Sequence, residues 1–377
     1  MPPLPMLSSG AAIGTLETPA PIVDLDRLER NIARMAAYAE SHGIALRPHI
    51  KTHKATGVAA QQVASGAVGL TCATPAEAVV MADACRDILL AYPPVGAKAE
   101  RLLSVPEAVR LTVSLDSARA IEDLARVARR SERSIGVYVE VDVGMHRVGV
   151  PTVEEAIGLA RTVTESAPLH FAGVAFYPGH IRSAVDAQDA ELATLTSGIA
   201  RMRAAFDAAG LAPTVVSGGS TPTMWRTHEI TGVTEMRPGT YVYNDRTTAE
   251  IGACAWDDCA LSVLATVVST AVPGQAVIDA GAKALGREPM RGAAGEGFGA
   301  LLDRPDVVVS RMSEEHGILD LSRTEWRPAV GDVVRVVPNH VCIVVHLNDL
   351  MYGVRDDRVE TSWTVDARGR AHPVVRP

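Results

Sequence analysis

Ile44-Ala45-Leu46-Arg47-Pro48-His49-Ile50-Lys51-Thr52-His53-Lys54 follows the first amphipathic helix, and its reading sets the rest of the chain. On a strand, alternate residues share a face. Arg47, His49, Lys51 and His53 then point one way, with Leu46, Ile50 and Thr52 on the other. A row of basic groups on one face of a strand in an apolar setting is costly unless it serves a ligand. The competing reading is an edge strand whose charges face water. Lys51, at the strand end, is the candidate nucleophile. Lys54 has the opposite parity and is expected to face outward.

Outward from this run the pattern repeats. The preceding helix carries Leu28, Ile32, Met35, Ala36 and Tyr38 at helical spacing. Apolar runs predict buried strands near 44–51, 67–74, 87–92, 110–116, 135–142, 170–177, 214–218 and 234–243. Helical segments fall between them near 54–65, 75–85, 96–104, 117–131, 152–166 and 187–210, and the last link, 222–232, holds a turn of helix. Strands in strict alternation with helices give a parallel sheet buried on both faces. Eight of them close into a (β/α)8 TIM-like barrel, with an open doubly wound sheet as the alternative. Both put active-site groups at the strand C-termini.

After about residue 250 the texture changes. Val- and Ile-rich runs at 260–272, 275–280, 307–311, 317–321, 332–337, 351–355 and 359–365 predict a C-terminal antiparallel β domain. Residues 282–305 read as a loop excursion. The expected organisation is an irregular N-terminal segment, 1–20, packing with the β domain, a barrel over 21–250 and the β domain over 251–377.

With 377 residues, 47% of them hydrophobic, the chain is long enough for two cores. Basic residues number 36 and acidic 44, a net charge of −8 that argues against nucleic-acid or anionic-membrane partners. An aromatic content of 4% argues against base-stacking platforms. Cys72, Cys85, Cys254, Cys259 and Cys342 are scattered and odd in number, which suits a reducing cytoplasm. The N-terminal residues lack a signal-peptide pattern, and no apolar run is long enough to span a bilayer.

Several strand ends carry candidate chemistry. Ser217-Gly218-Gly219-Ser220-Thr221 follows the seventh strand, where barrels often hold phosphate, though an ordinary glycine turn reads the same way. A lysine after strand one lies beside that loop once a barrel closes. An amine able to form a Schiff base beside a phosphate cradle suggests pyridoxal 5'-phosphate. His49, on the Lys51 face, joins the cofactor residues. After strand five, Arg147 could contact the cofactor or a substrate carboxylate, or pair with Asp142 or Glu140. After strand six, Tyr177 is a candidate ring partner and His180 a candidate base. Tyr243 and Asn244, after strand eight, are candidate phosphate or ring partners. In the β domain, His340 and Cys342 stand two apart, on one face if the segment is a strand. Imidazole plus thiolate suits Zn²⁺ and leaves positions open for water or substrate. A buried cysteine beside a satisfied histidine is the structural alternative. His316 and His346 are accessory candidates.

Taken together, these segments resemble the D-threonine aldolase and D-serine dehydratase group, fold-type III pyridoxal phosphate enzymes related to alanine racemase. The likeness runs from about Thr18 to Arg370. PHIKTHK is similar to the cofactor-lysine strand, with Lys51 in the lysine position. EVDVGMHRVGV is similar to the strand with the active-site arginine, here Arg147. SGGSTPT resembles the phosphate loop, and PNHVC the metal motif with His340 and Cys342 as ligands. The resemblance implies a homodimer that binds pyridoxal phosphate and a divalent metal (Zn, Mn or Mg) and acts on a β-hydroxy-D-amino acid. In some aldolases of the group the second ligand is aspartate, whereas cysteine is typical of the zinc dehydratases. Some aldolases carry a histidine base after strand six, matched here to His180. Retro-aldol cleavage of D-threonine is therefore the first reading and β-elimination from D-serine the second. A racemase needs two bases and no PNHVC, and a non-catalytic cofactor carrier needs no β domain.

Overall fold

The computed structural model describes residues 9–290 and 296–370. They form two compact units, one of residues 9–31 and 240–365, the other of 32–239 and 366–370. The division therefore falls inside the helix Leu25–Ser41 and before Thr240, not at 20 and 250. The C-terminal residues return to the barrel unit rather than ending the β domain. Asp366 accepts hydrogen bonds from the Thr56 amide (2.8 Å) and hydroxyl (2.7 Å), and the Ala367 amide donates to the Lys54 carbonyl at 3.0 Å.

In the barrel unit eight parallel strands follow in sequence: Ala45–Leu46, Leu70–Cys72, Asp87–Leu90, Arg110–Leu115, Ile135–Val141, Leu169–Phe176, Val215–Gly218 and Glu235–Met236. Seven lie inside the runs expected from the sequence, and the sixth begins one residue before its run, at Leu169. The eighth pairs with the first, and a parallel bridge between His49 and Thr71 joins the first to the second, so the ring closes. Strands buried on both faces read as continuous apolar runs; every residue of Ile135–Val141 is buried. The intervening helices start where the sequence supplies a cap. Thr74, Ser117 and Thr152 accept from the amides of Glu77, Ala120 and Glu155, satisfying an orphan donor of the first turn. The link after strand seven is the short 3₁₀ turn Met224–Glu229.

The barrel interior is not wholly apolar. Arg47 donates to Glu235 at 2.6 Å and to Asp87 at 2.8 Å. Ser217 donates to Glu235 at 2.6 Å, and Arg237 donates to Ser217 Oγ and, at 2.9 Å, to the Phe176 carbonyl. Gly69 makes room for this network, since a Cβ there would collide with the Arg47 guanidinium.

The β unit holds a closed antiparallel ring in the order Leu261–Ser269, Gln275–Ile278, Gly317–Asp320, Arg304–Met312, Gly299–Leu301 and Val333–Pro338, the last pairing back to the first. Ala20–Asp24 pairs antiparallel with Leu261–Ser269 and parallel with Leu350–Arg355, which continues to Arg358–Thr364 and Ala11–Ala12. The expected loop over 282–305 contains the helix Ala282–Leu285 and the strand Gly299–Leu301, and 291–295 lie outside the described residues. Among the described residues no helix is long and apolar enough to cross a membrane.

Candidate functional site

The ladder of the first barrel strand gives way just before the lysine. Pro48 has no amide to donate, His49 makes one bridge, and Ile50–Thr52 turns as a 3₁₀ helix. His49 Nδ1 accepts the Lys51 amide at 3.4 Å. Ile50 and Thr52 are fully buried and fasten the turn, leaving Lys51 half-buried at the rim. The shared face expected for Arg47, His49, Lys51 and His53 therefore does not form. Arg47 points into the barrel, and His53 is buried with Nε2 3.2 Å from Gln62 Oε1. Lys54 does not face outward either: at φ 52° it forms an ion pair with buried Glu77.

Burial pushes the His53 pKa down to about 4. An unfolded histidine titrates near pH 6.5, so the unfolded chain binds the extra proton first. Stability from this group is fully present above about pH 6.5 and is lost as pH falls from there towards 4. The expected loss is about 1.4 kcal/mol per pH unit. Denaturant midpoints between pH 7 and pH 5 should show it, with a shallower slope in His53→Gln. An unchanged slope would refute the assignment.

Around Lys51 the rim is cationic. Lys51 Nζ lies 5.7 Å from the Tyr177 ring centroid, and the Arg147 guanidinium carbon 4.9 Å from the same centroid. Gly179 permits that ring position, since a Cβ there would strike it. Neither carboxylate weighed for Arg147 is paired with it among the described residues. Glu140 accepts from Ser114 at 2.8 Å, and Asp142 binds the His146 ring at 2.7 Å. Burial would raise the Asp142 pKa, but the His146 and Gly144 amides draw it below its usual value. Burial pushes the His49 pKa well below normal, and Lys51, Arg237, Lys54 and Arg147 push it the same way. His180 is exposed in the Pro178-Gly179 turn, its ring beside Gly144, where φ is +117°.

The diglycine turn lies next to the lysine turn. Gly219 has φ +90°, and a Cβ on Gly218 would strike the Phe176 ring, so the close approach needs glycine at both. Ser220 and Thr221 are buried. Gly239, after strand eight, joins the two features. Its amide donates to Thr221 Oγ1 at 3.3 Å, while a Cβ on it would lie 2.9 Å from the His49 carbonyl and 3.0 Å from Thr52 Oγ1. The Ser217 hydroxyl is committed to Glu235 and Arg237. Tyr243 and Asn244 belong to the β unit, where Tyr243 is buried with its hydroxyl 3.7 Å from Met351 Sδ and Asn244 donates to the Asp258 carbonyl at 3.2 Å. Arg237 and Glu235 were not expected. Charged residues inside a run otherwise read as a buried strand were the available signal.

In the β unit, His340 and Cys342 do not share a strand. His340 is the N-cap of the helix Val341–Leu347, and Cys342 lies in its first turn. Asn339 fixes the approach by donating to the Glu288 carbonyl at 3.0 Å and the Gly297 carbonyl at 2.8 Å. Asp245, which caps the helix Arg246–Glu250, sits 3.1 Å from His340 Nδ1. Burial would lower the His340 pKa, but Cys342 and Asp245 push it up to about 10. A carboxylate on one ring nitrogen is the usual orientation of a metal-binding histidine, so this donor set fits a soft or borderline divalent cation. Among the described residues no group of three or more His, Cys, Asp or Glu gathers as a metal shell. The pair would leave positions for water or substrate. His316 is exposed, and His346 is exposed one turn after Cys342 on the same helix. Asp245→Asn keeps the helix cap and removes the charge behind His340. Zinc affinity should fall about 10–100-fold in a competitive chelator titration, and native affinity would dismiss the pair as a metal site.

Known proteins share the fold and much of the sequence. The family model described as "Alanine racemase, N-terminal domain" matches residues 23–247, and "Putative serine dehydratase domain" matches 260–354. The chain is 33% identical to a 3-hydroxy-D-aspartate aldolase of Paracoccus denitrificans, over 95% of this chain and 93% of that one. It is 37% identical to a D-threo-3-hydroxyaspartate dehydratase of Delftia sp., over 87% and 91%. A cysteine-to-alanine mutant of a D-threo-3-hydroxyaspartate dehydratase, solved in a metal-free form, superposes with a TM-score of 0.83 at 33% identity, over 95% of this chain and 100% of that one. A D-threonine aldolase from Filomicrobium marinum superposes at 0.88 with 33% identity, over 97% and 100%.

Proposed function

The chain belongs to the alanine racemase-like family of pyridoxal phosphate lyases that includes D-threonine aldolases and D-serine dehydratases, and we propose that it cleaves β-hydroxy-D-amino acids by a retro-aldol reaction. The observation that carries this reading is His180. An accessible imidazole follows strand six on the rim that bears Lys51, where a base for the β-hydroxyl is wanted.

Lys51 is the amine that carries the cofactor. Gly218, Gly219, Ser220 and Thr221 offer the close backbone and hydroxyls that suit its phosphate. His49, Tyr177 and Arg147 line the same rim, with Arg147 available to a substrate carboxylate. Bound pyridoxal phosphate supplies an electron sink for charge developing at Cα. A divalent cation at His340 and Cys342 would supply Lewis-acid polarisation of an oxygen. For cleavage, His180 takes the β-hydroxyl proton, the Cα–Cβ bond breaks, and D-threonine gives glycine and acetaldehyde. For elimination, Lys51 takes the α-proton instead and hydroxide departs, so D-serine gives pyruvate and ammonia. Cys342 favours this second reading, because a cysteine in the second ligand position is typical of the zinc dehydratases whose metal motif PNHVC resembles.

A product assay on D-threonine, D-serine and 3-hydroxy-D-aspartate, with and without chelator, separates the two. Aldehyde release is expected, and 2-oxo acid alone would replace the aldolase with the dehydratase. His180→Asn should lower aldehyde release about 10²–10⁴-fold, and an unchanged kcat would remove His180 from the chemistry. Undiminished turnover with chelator would remove the metal. A cytoplasmic homodimer completes the proposal. The five free thiols support the compartment, and light scattering tests the dimer.

A further inference from the structure

We propose that the Lys54–Glu77 ion pair reserves pyridoxal phosphate for Lys51 by withdrawing the second amine of the same turn from an incoming aldehyde. This rests on the cofactor reading above and adds a choice between two lysines three residues apart. They sit in opposite settings. Lys51 Nζ lies beside the Tyr177 ring, and among the described residues it has no ion-pair partner. Lys54 Nζ is bound to Glu77 Oε1, with the two side chains only 14% and 1% exposed. Glu77 cannot follow a wandering lysine. Its other oxygen accepts the Ala73 amide at 2.6 Å, and its own amide donates to Thr74 Oγ1 at 3.2 Å.

The backbone holds the lysine from the other side. Lys54 has a left-handed φ of 52°, and its carbonyl accepts the Ala367 amide at 3.0 Å. Both lysines rise from one turn, since Lys51 lies within Ile50–Thr52 and the Lys54 amide donates to the Ile50 carbonyl at 2.8 Å. Capture of an aldehyde needs a free lone pair on nitrogen. The nitrogen bonds to the carbonyl carbon, its two protons leave with the carbonyl oxygen as water, and a carbon–nitrogen double bond remains. An ammonium bound to a buried carboxylate has no lone pair to offer.

The test uses the full chain incubated with pyridoxal phosphate, reduced with borohydride and mapped by peptide mass spectrometry. Only four lysines occur, and exposed Lys98 and Lys283 report non-specific labelling. Native protein should carry the label on Lys51 alone, and Lys51→Ala should carry none. Lys51→Ala with Glu77→Gln should carry it on Lys54, at least tenfold above Lys98. Label on Lys54 in Lys51→Ala alone, or none in the folded double variant, would overturn the inference. Should the double variant not fold, Glu77→Gln alone must divide the label between Lys51 and Lys54, and label confined to Lys51 would overturn it equally. Native protein without label at either lysine would instead sink the cofactor reading.

Discussion

Lys51→Ala is expected to leave the protein folded and colourless, with turnover of β-hydroxy-D-amino acids lowered about 10⁴-fold or more. The size follows from two losses at one atom. The amine that attaches the cofactor is gone, and for elimination so is the group that takes the α-proton; proton transfer alone is commonly worth about 10²–10⁴-fold. Little stability should be lost, because Lys51 is half-buried while the fastening residues Ile50 and Thr52 are untouched. Absorbance of the native protein near the visible edge, fixed by borohydride, supplies the reference. A variant that stays yellow with a reducible adduct in the same turn would transfer the role to another amine.

Arg47→Leu should have the largest effect on stability. Arg47 is buried between Glu235 and Asp87, and although burial opposes its charge, those carboxylates raise its pKa. Removing one partner of a buried pair strands the other, at a cost of about 3–5 kcal/mol. Asp87 keeps Arg110, so the stranded charge is chiefly Glu235, which holds Ser217 and through it Arg237. Urea unfolding should show the loss, and adding Glu235→Gln should recover part of it. A loss below about 1 kcal/mol would mean that water reaches Glu235.

The eight barrel strands were legible because strands buried on both faces leave unbroken apolar runs, as 135–141 does. Strand parity failed at Pro48, where the ladder stops and a 3₁₀ turn takes over, so alternation said nothing about Lys51 or Lys54. It failed again at Val341-Cys342-Ile343-Val344-Val345, a β-branched run that folds as a helix, tertiary context overriding propensity. Gly299–Leu301, three residues long, is too short for any period to appear. Asp245 and Glu235 eluded the reading for another reason. Their partners His340 and Arg47 stand 95 and 188 residues away, and spacing along a chain carries no trace of such pairs.

The return of residues 366–370 to the barrel unit bears on how the protein is made. The Ala367 amide caps the carbonyl of Lys54, and Asp366 receives Thr56 at the start of the next helix. A nascent chain emerges N-terminus first, so the lysine turn is synthesised more than 300 positions before its last two fastenings. While the ribosome is still translating the β unit, that corner of the barrel lacks them. The lysine turn thereby gains its last two fastenings only after the whole β unit has been synthesised.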